Sequence, residues 1–223
     1  MKLKKINNFI LTVDGRSSSG KSTAARLLAK KFKIPLLSSG LLYRWSAKKL
    51  LENKPNNKIS YLKKHLSKLN YSKLTKMNLH SPEISKHSAK IARILEVRKT
   101  VKKIQKLWVL KNRNRCVIEG RDSHLIFPKA FVKFYLKTNI NVAALRRFKE
   151  LKKKGSKITL KEVKKDLKKR DYSDTTRKHS PLIIAKDHVV IRSDILNKSQ
   201  MIKKMSKKIE LKVKRIMDRK IKS

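Results

Sequence analysis

The residues Gly15-Arg16-Ser17-Ser18-Ser19-Gly20-Lys21-Ser22 match the spacing G-x-x-x-x-G-K-[ST] without substitution. Glycine at both ends lets the backbone curl until successive N–H groups point inward, where they can cradle a phosphate. A helix starting near Lys21 would add the positive end of its dipole. Lys21 is then placed to reach β- and γ-phosphates, Ser22 to offer its hydroxyl to Mg²⁺, and Thr23 to touch the α-phosphate. The bland alternative is a chance glycine turn in a lysine-rich chain. The apolar run before the loop and the helical periodicity after it argue against that. The motif alone leaves kinase, GTPase and ATPase open.

Three later clusters could hold a second anion. In Ser38-Ser39-Gly40-Leu41-Leu42-Tyr43-Arg44, Ser39 can cap a helix and also donate to a phosphate, and Arg44 lies one turn past Gly40 on the same face. A guanidinium there could clamp a monophosphate through two hydrogen bonds. In Val117-Ile118-Glu119-Gly120-Arg121-Asp122 an apolar strand runs into charge, and strand C-terminal ends are where open α/β sheets bind ligands. Glu119 could hold a water of a Mg²⁺ shell, and Arg121 could meet phosphate. Asp122 could accept from an amino group or ribose, or orient Arg121. In Arg170-Asp171-Tyr172-Ser173-Asp174-Thr175-Thr176-Arg177, helical spacing puts Arg170, Asp174 and Arg177 on one face. They would serve phosphate, a ribose hydroxyl, and base or phosphate respectively. The structural alternatives are a capped helix with a solvated arginine, a turn with an internal Arg–Asp pair, and a surface ion-pair ladder.

Taken together, the clusters imply phosphoryl transfer between two bound phosphates, with Mg²⁺, Lys21 and several arginines offsetting their repulsion. A phosphate oxygen is already a competent nucleophile, so the chemistry asks for no general base. His124 and His179 read as ordinary loop or surface histidines. Neither a metal-binding Cys/His set nor a Ser/His/Asp triad stands out.

The elements that must position these groups alternate. Strands are expected at Asn8–Val13, Leu36–Leu37, Cys116–Glu119, Val132–Leu136 and Val189–Ile191. Helices are expected over Lys21–Phe32, from Ser38 toward Leu51, over Ile84–Leu110 as one long stretch, Asn141–Lys154, Leu160–Arg170, and from Ser199 onward. The segment from Glu52 to Pro82 is Asn/Lys-rich and reads as a partly irregular insertion. Strands alternating with helices imply an α/β fold with a parallel sheet covered on both faces.

The 223 residues suit one α/β domain with an inserted subdomain. The single cysteine, Cys116, precedes an apolar run and reads as a small core residue in a reducing compartment. Lys+Arg number 62 against 15 Asp+Glu, a formal charge of +47. The excess is spread along the whole chain with few aromatics interleaved. That favours a solvated lysine surface with weak non-specific polyanion binding over a specific nucleic-acid site. No stretch has the length and apolarity of a membrane helix or a signal segment, so a cytoplasmic protein without membrane partners is expected.

In this order the phosphate loop, Ser39-Gly40-Leu41-Leu42-Tyr43-Arg44, Val97-Arg98, Glu119-Gly120-Arg121-Asp122 with Phe127-Pro128, Arg146-Arg147, and Arg170 to Arg177 with Pro181-Leu182 resemble the bacterial cytidylate kinase family. The resemblance covers nearly the whole chain. It implies a P-loop NTPase fold, a five-stranded parallel sheet flanked by helices, in a single-domain, monomeric enzyme. The core would span about 6–44 and 112–220, with an NMP-binding insertion over 45–111 and a short lid over 152–176. It also implies ATP and Mg²⁺ as cofactors and CMP, with dCMP, as acceptor. Ser39, Arg44, Arg121 and Arg170 match phosphate-side contacts, Asp174 the ribose contact, and Arg98, Asp122 and Arg177 groups around the cytosine. Lys21, Arg121 and Arg170 would be the catalytic set. The chain departs from the pattern at Ser123-His124, where a Gly-Thr pair is usual and the loop is one residue longer. It departs again at Ala89 beside Ser88, where a base-reading serine is usual, at Ala143 in place of an arginine, and at Arg192 in place of an aspartate. The competing readings are another P-loop small-molecule kinase and a basic nucleic-acid-binding protein with a vestigial loop.

Overall fold

The apolar run at the start of the chain becomes β1 (Phe9–Gly15), buried at every position as a strand covered on both faces must be. A computed structural model describes residues 6–153 and 155–221. In it β1 is the centre of a five-stranded sheet. The other strands are β2 (Leu36–Ser38), β3 (Arg115–Glu119), β4 (Val132–Lys137) and β5 (His188–Arg192). The order is β2-β3-β1-β4-β5, and every pair is parallel. After β1 the chain goes to β2 on one side of the sheet, and after β3 it goes to β4 on the other, so the connections diverge and open a crevice at the C-terminal ends of β1 and β3.

One sheet face packs on α1 (Lys21–Phe32) and α10 (Lys198–Ile221) through Phe9, Leu11, Val13, Leu28, Met205 and Ile209. The opposite face, with Ile10, Cys116 and Ile118, meets α2 (Ser39–Asn53), α3 (Lys58–Ser67), α4 (Tyr71–Leu74), α5 (Pro82–Ile91) and α6 (Leu95–Lys111). Cys116 is fully buried there, and burial pushes its thiol pKa up to about 12. The short α7 (Ser123–Ile126) follows β3. A helical hairpin, α8 (Ile140–Lys152) and α9 (Leu160–Thr176), has a small core of its own made by Ala143, Ala144, Val163 and Leu167. Among the described residues no helix is long and apolar enough to cross a membrane.

Several elements differ from the sequence expectation. The stretch Ile84–Leu110 is two helices, α5 and α6, broken at Ala92-Arg93-Ile94. Ile94 is 41% exposed and not part of the apolar stripe, whereas Ile91 and Val101 are buried. The segment between Glu52 and Pro82 is largely helical: Asn57 caps α3 by accepting from Ser60 N–H, and Asn70 caps α4 by accepting from Ser72 N–H. α9 continues past Arg170 to Thr176, started by a reciprocal Thr159–Glu162 capping box. β1 begins at Phe9 and runs on to Gly15. Lys154, expected at the end of α8, lies outside the described residues, as do the basic N-terminal residues 1–5 and the last two residues of the expected C-terminal helix.

Candidate active site

The phosphate loop joins β1 to α1. Gly15 has φ +149°, and a Cβ there would stand 2.5 Å from the Leu136 carbonyl oxygen, so only glycine fits against β4. Gly20, at φ +84°, is the N-cap of α1 and contributes no side-chain cap. The first N–H groups of the helix are thereby left to the loop. Ser18 takes a left-handed φ of +54° without being glycine. Lys21 is buried and folded back across its own loop, donating to the Arg16 carbonyl and, at 3.4 Å, to Ser19 Oγ. Burial, then the Arg121 charge, push its pKa down to about 7. Ser22 Oγ donates to Glu119 Oε2 at 3.3 Å, and Ser38 Oγ donates to Glu119 Oε1.

Two cavities flank this loop. The first is lined by Ser18, Gly20, Lys21, Ser22 and Thr23 and by Arg146, Arg147 and Glu150 of α8. Arg147 pairs with Glu150 at 2.8 Å, and Arg146 donates to the Ser193 carbonyl. Ser193 Oγ donates in turn to the Ser19 carbonyl at 2.8 Å, tying the loop to the end of β5. Arg16 contributes its carbonyl to the loop while its side chain is exposed.

The second cavity opens at the ends of β2 and β3. Ser39, Gly40 and Tyr43 of α2 line it, with Ser88, Ala89 and Ala92 opposite. The charged wall comes from Glu119, Arg121, Asp122, Arg170, Asp174 and Arg177 together with Arg98. These groups form one chain of contacts. Arg121 Nη2 donates to Ser17 Oγ of the phosphate loop at 3.2 Å, and its Nε donates to Asp174 Oδ2 at 2.9 Å. Asp174 Oδ1 accepts from Arg177 Nη1 at 3.2 Å, and Arg177 Nη2 lies 3.7 Å from Asp122 Oδ1. Asp122 Oδ2 accepts from Arg98 Nη2, and Arg98 Nη1 donates to the Ala92 carbonyl at 3.0 Å. Arg98 is 1% exposed and lies over the Tyr43 ring at 5.8 Å. Burial favours the neutral acid at Asp174, but Arg121, Arg177 and Arg170 overcome it and hold the carboxyl below its ordinary range. Arg170 is pushed down to about 10 by burial and then by Arg121. Ser39 lines the cleft, and its Oγ is buried with no partner among the described residues.

The structure therefore brings together Ser39, Arg98, Arg121, Asp122, Arg170, Asp174 and Arg177, and sets the phosphate loop against them. Arg44 is placed differently: its Nη1 donates to the Leu79 carbonyl at 3.0 Å and to Ser85 Oγ at 2.6 Å, so it stands behind the cleft wall. Its pKa is pushed down to about 10, by burial and then by Arg170, Arg147 and Arg121. Arg177 lies just past the end of α9 with extended backbone, not on the helix face expected from the spacing. Sequence reasoning missed Asp171, whose carboxylate accepts the Ser17 N–H at 2.9 Å and docks α9 on the phosphate loop. Its signal was a scarce acid beside Arg170. His124 also departs from expectation: it is 3% exposed, and its Nδ1 lies 3.0 Å from Asp14 Oδ2.

A family model for cytidylate kinase matches residues 11–211. The cytidylate kinase of Fusobacterium nucleatum is 34% identical, the match covering 92% of this chain and 99% of the relative. That of Clostridium tetani is 35% identical, over 90% of this chain and 93% of the relative. Among solved structures, an uncharacterised Eubacterium ventriosum protein aligns with a TM-score of 0.56 at 13% identity, covering 91% of this chain and 99% of its own. A Thermus thermophilus protein aligns with a TM-score of 0.52 at 17% identity, over 92% and 98%. These two likenesses concern the fold. With the phosphate loop and a facing arginine-lined cleft in place, the match over most of its length makes this chain a member of the cytidylate kinase family.

Proposed function

We propose that the protein transfers the γ-phosphate of ATP to CMP, and to dCMP, in pyrimidine nucleotide metabolism. The observation that carries this reading is Arg121, which lines the acceptor cleft while its Nη2 touches Ser17 of the phosphate loop at 3.2 Å. A group at that point faces the reacting phosphates from both sides.

ATP would lie in the cavity beside Arg146 and Arg147, its phosphates on the loop amides. Lys21 would exchange the Arg16 carbonyl for β- and γ-phosphate oxygens and regain a full positive charge. Ser22 and Glu119 offer the hard oxygen donors that Mg²⁺ requires, Ser22 directly and Glu119 through water. Bound Mg²⁺ would neutralise phosphate charge and hold the β- and γ-groups in register. CMP would place its phosphate toward Ser39, Arg121 and Arg170, with Arg44 supporting from behind. Its ribose would meet Asp174. Asp122 is a carboxylate suited to the cytosine amino group, and Arg98 and Arg177 are donors suited to the ring acceptors. A CMP phosphate oxygen attacks the γ-phosphorus and the bond to the ADP oxygen breaks. Lys21, Arg121 and Arg170 stabilise the charge spread over the transferring group.

In this reading the segment 45–111 is the acceptor-binding insertion, and residues 152–176, which include α9, are the lid. A monomeric enzyme is part of this reading. The lone buried thiol is in keeping with the cytoplasm, and the +47 charge with weak, salt-sensitive polyanion binding. The test is ATP consumption with Mg²⁺ and CMP, dCMP, UMP or AMP in turn. CMP and dCMP should be preferred. Activity on AMP or UMP with none on CMP would reject the assignment.

A further inference from the structure

We infer that Asp14 and His124 form a positioning pair that fixes the Arg121–Asp122 turn against the phosphate loop. The inference rests on the acceptor role given to that turn above. Asp14 is fully buried and directly precedes Gly15. Its carboxylate takes three donors from the segment that follows Asp122: Ser123 N–H at 3.0 Å, His124 N–H at 2.9 Å and His124 Nδ1 at 3.0 Å. A buried carboxylate is costly unless such donors surround it. Burial alone would raise its pKa, yet the His124 side chain and the two backbone N–H groups hold it below the ordinary carboxylate range. His124 supplies the third donor from its own ring. Asp14 thereby grips β1 at one end and the arginine-bearing turn at the other.

The tautomer follows from the partners. His124 must carry a proton on Nδ1 to bond the carboxylate, and its Nε2 is buried and without a partner among the described residues. The His188 ring stands beside it, edge-on, with centroids 4.4 Å apart. His188 Nδ1 accepts the Ala185 N–H at 2.7 Å, so its proton is on Nε2. Asp14, His124 and His188 bring possible metal-binding atoms within 4.8 Å of one another. With the His188 lone pair already used, the cluster is built for hydrogen bonding rather than for chelation.

The experiment uses which nitrogen donates. An asparagine side chain places its amide N–H near the position of Nδ1, whereas glutamine places it near Nε2. In His124→Gln the carboxylate should lose its third donor, and kcat/KM for CMP should fall about tenfold or more. KM for ATP should stay within about twofold, and His124→Asn should restore most of the loss. Ring ¹⁵N NMR of the wild type should show a slowly exchanging His124 Nδ1–H. Gln at wild-type efficiency, Asn and Gln failing alike, or a ring protonated on Nε2 alone would each overturn the pair. Failure of the cytidylate reading would show differently, as a wild-type enzyme indifferent to CMP. The Nδ1–H signal and the Ser123 amide protection, expected in wild type and Asn but not in Gln, would then still decide.

Discussion

The two cavities recognise phosphate by different physics. On the ATP side the loop uses backbone N–H groups and one lysine, with Arg146 and Arg147 at the rim. On the acceptor side Arg98, Arg121 and Arg177 are already paired with Asp122 and Asp174. Backbone donors are fixed by the fold, so the first pocket binds by shape and its lysine is a buried charge that costs stability. The second is a side-chain network in which Arg98, Arg121 and Arg177 each have a carboxylate partner, and a ligand must exchange into it. Loss of one member should therefore harm folding at the acceptor side and chemistry at the ATP side.

The largest expected effect is at Asp122. Asp122→Ala strands the Arg98 guanidinium, which is 1% exposed, and should lower stability by about 3–5 kcal/mol in chemical denaturation. Combining Arg98→Met with Asp122→Leu should recover most of that stability without recovering CMP binding. Equal losses in the single and double variants would break the distinction. Next, Lys21→Met should reduce kcat by roughly 100- to 1,000-fold while leaving the thermal midpoint unchanged or raised, because a desolvated charge has been removed. A midpoint that fell would mean the lysine supports the fold after all.

A third effect concerns protons. The unfolded lysine titrates near 10.5 and the folded one at about 7. Between those values the unfolded state holds more protons, so this group makes stability rise with pH across that window. ATP phosphates should draw the proton back, so binding near pH 8.5 should take up a fraction of one proton per site, and affinity should fall as pH rises. Calorimetry in buffers of different ionisation enthalpy measures the uptake, which Lys21→Met should abolish. The smallest expected effect is Ser18→Gly. Removing a Cβ from a φ of +54° should stabilise the nucleotide-free protein by about 0.5–1 kcal/mol in its denaturant midpoint.

What was legible in the sequence follows the same division. The phosphate loop is contiguous and its demands are backbone demands, so strand, loop and α1 could be read from spacing alone. The acceptor network joins Arg98 to Asp122 and Arg121 to Asp174 across long stretches of chain. Spacing does not reveal such pairs; the family resemblance set the same residues around one ligand without pairing them. The break between α5 and α6 was hidden because apolar residues keep helical spacing through Ile91, Ile94 and Leu95, and Ile94 happens to face outward. Asn57, Asn70 and the Ser81-Pro82 start of α5 were readable caps within a segment whose lysines and asparagines looked structureless. His124 was passed over because a lone histidine in a loop shows no partner until the fold brings Asp14 to it.

Cys116 lies at the heart of β3 and is the only thiol in the sequence. A thiol-specific dye added to the native protein should therefore react only with molecules that have opened the central sheet, which gives an optical clock for unfolding without any engineering. Conversely, a cysteine introduced on the α8–α9 hairpin would be the single labelled position, ready for distance measurements on that arm as nucleotides come and go.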